Sequence, residues 1–273
     1  MPRVISGSGV SAGNVLVVDA DGNGDYTTIQ AAINAAYAQG PTLVDQWLVL
    51  VGPGQYQESL TLYDYVNISS FSPDKAAYLN GTGASAIQTA ATCTVSNLRV
   101  RTASPPAIKT GSFAAGKFLN LRNIIIDEET PDIDAVQVTT GWVNIYFCYL
   151  KAGGIIAYVG ASGTLKVFDS KLIRYYTGSG SSNPVVQNAG GVMEIVRTNV
   201  ENRVAAGEAI TFSAAPSTQA RILHSIIKAS AAATYSIGAT VAVNCLVSGC
   251  LLNKDLQTAN ISDAVDYMIT DDL

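Results

Sequence analysis

The sequence predicts an all-β chain, a single-stranded right-handed parallel β-helix of about eight or nine coils with a short N-terminal capping helix. Three observations carry that expectation. An apolar motif returns roughly every 25 residues through the second half. One amphipathic helical stretch precedes it. The chain is also 48% hydrophobic with only 14% charged residues, which suits an apolar column wrapped by thin walls.

The motif anchors at Val95, Leu121, Ile145, Val167, Ile195, Ile222 and Cys245. Five positions after each stands another apolar residue: Val100, Ile126, Leu150, Leu172, Val200, Ile227 and Cys250. A register kept while the spacing varies means stacked coils whose loops differ in length. Between the two positions lies a bend, where Asn97 and Asn123 tolerate the left-handed conformation. Positions three and five after the anchor point inward, giving Leu98/Val100, Ile124/Ile126, Cys148/Leu150, Ser170/Leu172, Thr198/Val200, Ser225/Ile227 and Ser248/Cys250. The first of each pair changes from large apolar to small polar along the stack, and hydroxyls in such a column can satisfy one another rung to rung. Strands ~4.8 Å apart then make a rod roughly 40 Å long. Its hand follows from the right-handed crossover of parallel strands.

The elements before the ladder fit the same plan. Residues 1–13 are Gly- and Ser-rich and read as a flexible arm; 14–255 form the β-helix domain. Residues 15–18 are a first strand, and the run DADGNGD at 19–25 is a turn. Thr27 or Thr28 caps a helix whose Ile29, Ala32, Ile33, Ala36 and Tyr37 share one face, and Gly40-Pro41 ends it. That helix is expected to cover the open end of the strand stack. Residues 47–51 are a buried strand, and the pattern fades at 256–273 into a C-terminal cap or tail.

Charge and cysteine usage narrow the partners. A net charge of −5 with scattered Lys and Arg argues against nucleic acid, and no apolar run is long enough for a membrane span. The start lacks the apolar core of a secretory signal, so synthesis in the cytoplasm without a signal peptide of its own is expected. Cys93, Cys148, Cys245 and Cys250 lack metal spacing and read as buried free thiols. No cofactor is implied.

Residues 17–36 (VVDADGNGDYTTIQAAINAA), followed by VLVGPGQYQESLTL at 49–62, resemble the opening of pectin methylesterases. Gly54, Tyr56 and Glu58 match that family's Gly-x-Tyr-x-Glu strand end, and a looser likeness runs to about residue 205. The resemblance implies a right-handed β-helix of the pectinase-like superfamily, a scaffold shared with non-enzymatic viral proteins. Its esterases use two aspartates, in Gln-Asp-Thr-Leu and Asp-Phe-Ile-Phe-Gly motifs, and an arginine in Leu-Gly-Arg-Pro-Trp. Where these aspartates should fall the chain reads GGIIAY at 153–158 and NPVVQN at 183–188, and no Arg-Pro-Trp occurs. The expectation is that pectin ester hydrolysis is absent.

Other constellations have milder readings. Asp19, Asp21 and Asn23 match the first half of a calcium loop, but Gln30 stands where the closing Glu belongs, so a tight turn is the better reading. Asp127, Glu128, Glu129, Asp132 and Asp134 crowd one loop rather than successive rungs, which favours a solvated loop over a paired-carboxylate site. His224, the lone histidine, stacks in the bend slot over Arg197 and Asp169, as a polar site or as surface charges satisfying each other. Tyr146, Phe147, Tyr149, Tyr158, Phe168, Tyr175 and Tyr176 lie outside the inward slots. They form a shelf for sugar rings or for another subunit, unless loops cover it.

Two functions are consistent with these residues. The first is a non-enzymatic virion component, a homotrimeric rod that docks on other virion proteins through its arm or tail. The second is a carbohydrate-binding or carbohydrate-active β-helix. The candidate interaction or glycan face is Tyr146, Tyr149, Phe168, Asp169, Tyr175, Tyr176, Arg197 and His224.

Overall fold

The computed structural model describes residues 14–71, 76–104, 106–111, 116–127, 133–175, 183–204, 207–216, 219–257, 260–264 and 267–269. The arm at 1–13, Tyr176, and Glu128, Glu129 and Asp132 of the acidic loop lie outside the described residues. Among the described residues the regular secondary structure is one helix and otherwise strand, in parallel sheets of 17 and 10 strands. Each regular turn places one strand in the long sheet, bends, places one in the short sheet, and returns through an irregular corner to a second strand of the long sheet. In Val136–Tyr146 and Ala157–Phe168 the two long-sheet strands run on as one around the corner.

The anchors stack as the periodicity predicts. Val95, Leu121, Ile145, Val167, Ile195 and Ile222 pair in one unbroken column of the long sheet. Val100, Ile126, Leu150, Leu172, Val200 and Ile227 do so in the short sheet. All twelve are fully buried, each contributing about 1.5–3 kcal/mol of transfer free energy. The last rung departs from expectation. Val247, not Cys245, pairs with Ile222, and Leu252, not Cys250, pairs with Ile227. Cys245 and Val247 share a strand face, so alternation cannot choose between them; the bend does, at Gly249 with φ 63°. Ser248 therefore faces outward and Cys250 takes the slot above Ser225.

The bend between long and short sheets is a column of seven positive-φ residues: Asn97, Asn123, Phe147, Asp169, Arg197, His224 and Gly249. Seven regular turns is slightly fewer than the eight or nine expected. The shortfall lies at the start, where Trp47–Val51 reaches Gly54–Gln57 through Gly52 and Pro53 instead. At the far end, Ile261–Ala264 and Tyr267–Ile269 add a further strand to each sheet within the segment read as a cap or tail.

Inside the bend, the small polar side chains do the work of backbone partners. Ser225 Oγ donates to Leu223 O (2.8 Å) and accepts from Thr198 N–H (3.1 Å). Thr198 Oγ1 donates to Val196 O and accepts from Ser170 N–H; Ser170 Oγ donates to Phe168 O and accepts from Cys148 N–H. Cys148 Sγ plays the same part, donating to Tyr146 O and accepting from Ile124 N–H. Each hydroxyl thus serves one carbonyl of its own turn and one amide of the turn before it, so these backbone groups of the corner are paired although water cannot reach them.

The helix Ile29–Tyr37 closes the N-terminal end, though not as the capping signal suggests. Thr28 occupies the N-cap position without a side-chain bond. Glu58, from the Gly-x-Tyr-x-Glu segment, accepts from Ile29 N–H and Gln30 N–H at 2.7 and 2.8 Å, placing a carboxylate at the helix N-terminus. Gln30 then acts as a strand: its amide accepts from Thr61 N–H and donates to Thr61 O, filling the edge of Leu60–Leu62. Asp25 does likewise for Val17 N–H, and Asp19 accepts from Asp21 N–H, so these carboxylates close the turn. Tyr37 is half exposed and stacks on Tyr63 rather than joining Ile29, Ala32, Ile33 and Ala36 in the core.

Two outcomes follow. Thr198→Val keeps the side-chain volume but leaves Ser170 N–H without its acceptor, and should cost about 1–3 kcal/mol in denaturant unfolding; an unchanged midpoint and slope would remove the ladder's structural role. All four cysteines are buried and free, and burial pushes the Cys93 and Cys245 thiols up to about 12. The folded chain should resist maleimide at pH 8 and take up label on every thiol only after denaturation, read by intact mass.

Candidate functional site

The positive-φ column sets the site, because a residue in this conformation projects its side chain off the rod's corner. Asn97 and Asn123 begin it with an amide pair, Asn123 Nδ2 donating to Asn97 Oδ1 at 2.8 Å. Phe147 follows, 61% exposed. Asp169 and Arg197 form a bidentate pair, Nε to Oδ1 at 2.7 Å and Nη2 to Oδ2 at 2.8 Å. The hydrogen bond from Arg197 holds the Asp169 carboxyl below its ordinary range and raises the guanidinium in turn. His224 ends the series, its ring seated on Gly249, where a Cβ would lie 2.4 Å from Nδ1. Six other residues of the column hold the same conformation, so at Gly249 it is the space taken by the His224 ring that calls for glycine.

Beside this corner the short sheet presents its first outward position on each rung, and the two together line a shallow groove of about 560 Å³. Phe147 and Tyr149 stand at one end, His224 and Ile226 at the other, with Lys171, Asn199 and the Asp169–Arg197 pair between. Asp169, Arg197 and His224, expected as a stacked column, therefore border one groove. Lys171 and Asn199 went unnoticed in the sequence because attention lay on the bend and inward slots. They occupy the position four after each anchor, the outward slot that adjoins the bend, and that offset is the signal that finds them.

The aromatic shelf does not form as one surface. Tyr146 and Phe168 stack on the long sheet with centroids 5.2 Å apart, and Arg122 sits over Tyr146 at 4.8 Å. Tyr149 and Tyr175 lie on the short-sheet side, with Lys151 over Tyr175 at 4.8 Å. Tyr158 faces outward from the third strand column, and Tyr176 lies outside the described residues. The strand pleat explains the division: residues flanking the bend belong to different sheets and diverge.

Elsewhere the charged side chains pair along the rod. Glu194 takes Lys166 on one side (3.2 Å) and Arg221 on the other (3.1 Å), one rung apart each way. Asp127 meets Lys151 at 3.3 Å, and Glu201 meets Arg203 at 2.9 Å. The hydrogen bond from Arg203 holds the Glu201 carboxyl down. Arg174 is fully buried at the opposite corner, Nε donating to Gly153 O and Nη1 to Asn183 O, so it joins two neighbouring turns.

No protein-family model matches the sequence, and a search of curated proteins gives no match. Solved structures are similar. Pectin methylesterase PemA from Erwinia chrysanthemi matches over 94% of this chain and 93% of its own, with 13% identity and a TM-score of 0.59. Pectin methylesterase from carrot matches over 96% and 90%, with 9% identity and a TM-score of 0.56. With the parallel pairing, the bend column and the single helix already described, the chain has the right-handed β-helix fold of the pectin methylesterases.

Proposed function

We propose that the chain is a non-enzymatic structural component of a phage or viral particle, a β-helical rod that assembles as a homotrimer. The observation that carries this reading is how the polar side chains are used. On rung after rung, carboxylates meet cations of the neighbouring turn and hydroxyls meet neighbouring backbone, so the chemistry of the chain is committed to holding turns together. Such a design supports a stiff body. Charge pairs at the surface contribute little singly and serve better as register locks.

The long-sheet face supports the trimer. Arg122, Tyr146, Phe168, Val196 and Leu223 stack on one face on successive rungs, with Tyr146, Phe168 and Leu223 part-exposed and Val196 buried between them, a stripe that a lateral contact could cover. The segments at 1–13 and 256–273 then serve attachment to the larger particle. The fold similarity alone does not transfer an activity.

Light scattering on the purified full chain should return three times its 28.5 kDa mass, and a strict monomer at all concentrations would overturn the trimer. Incubation with methylated pectin should release no methanol above a heat-inactivated sample; release would establish an enzyme. Capsid and tail genes should flank the gene, whereas sugar-catabolism genes would count against a virion role.

A further inference from the structure

We infer that the bend corner is where copies of this chain meet, three corners converging on one axis with the long-sheet flank of each copy laid against the short-sheet flank of the next. This rests on the trimer proposed above and names its contact surface.

The first argument is Phe147. A bulky side chain at positive φ is conformationally costly, and the same column shows what a bend alone requires, namely Asn97 and Asn123. Phe147 takes that conformation and remains 61% exposed, so its ring is held off the apex with no core to enter. On a threefold axis it finds two identical rings at its own height. Clustered aromatic rings are characteristic of the buried centre of an interface.

The second argument is the match between the two flanks. The residue before each bend faces outward from the long sheet, and the residue two after it faces outward from the short sheet. When three parallel rods share an axis, equal rungs stand at equal height, so these two positions of one rung meet across neighbouring copies. Tyr146 then faces Tyr149, Phe168 faces Lys171, and Leu223 faces Ile226. The first is an aromatic pair, the second sets an ammonium against a ring, and the third is apolar. Two unlike flanks make a heterologous contact, which closes into a ring where the rotation allows. The groove of about 560 Å³ is the recess that takes the neighbour's stripe.

Charge agrees with this. Asp169 and Arg197 at the apex neutralise each other within one copy through both carboxylate oxygens, so convergence brings no unpaired charge together there. Arg122 is the cation of one flank and Lys171 that of the other. They lie two rungs apart, about 10 Å, so neighbouring copies do not oppose them. Nucleic acid would call for a run of cations that these flanks lack.

The test uses the full chain, light scattering across concentrations, and introduced cysteines, which the buried native thiols leave as the reactive sites. Phe147→Cys should give a disulfide-linked dimer under copper–phenanthroline oxidation, because three thiols at one axis pair two and leave one. Gln137→Cys, on the third strand column, should give none. Phe147→Asp, in a column that already carries Asp169, should raise the concentration for half-assembly at least tenfold, and Phe147→Asn, which suits the positive φ and removes only the ring, should raise it too. A trimer that fails to cross-link at position 147, or that neither substitution disturbs, overturns the inference and leaves the trimer standing. A parent that stays monomeric overturns both, even where another protein cross-links at that corner.

Discussion

A parallel solenoid continues only if every turn bends at the same place without stranding backbone polar groups in its apolar column, and here one corner meets both demands. A single residue at positive φ makes the bend. The residue after it points inward, and where it is Cys, Ser or Thr it bonds to the carbonyl two residues earlier and to an amide of the preceding turn. Around this corner the sheets diverge, the aromatic residues separate onto different faces, and the groove opens. Without it the two strands would run on as one sheet, with nothing to close the coil.

The architecture was legible because burial in a β-helix leaves a periodic trace. Two inward apolar positions five residues apart, on each of six successive rungs, admit few other arrangements. The same logic explains the error at the last rung. Alternation repeats every two residues, so Cys245 and Val247 are equivalent to it; only the backbone conformation at Gly249 separates them. Asn at the bend announced the left-handed column, and Asp169 and His224 are residue types that also favour it, but Phe147 and Arg197 carry no such signal, and only their register places them there.

The site was less legible than the fold for a physical reason. Grooves form from outward positions of adjacent elements, and outward positions are under no packing constraint that would fix their residue types. Lys171 and Asn199 look like ordinary surface residues until the corner sets them beside Arg197 and His224. Capping was obscured in a similar way: Thr28 precedes the helix as a local cap should, yet the carboxylate that caps it comes from Glu58, 28 residues or more along the chain. Long-range polar partners follow from the three-dimensional path and not from neighbouring sequence.

Gln30 and Asp25 have a consequence for the first turn's edge. By imitating a strand against Thr61 and Val17, they engage hydrogen-bonding groups that the turn would otherwise offer to another chain. A strand arriving there finds those amide and carbonyl groups already bonded, so the chain carries its own side-chain substitute for the neighbour that an end strand lacks.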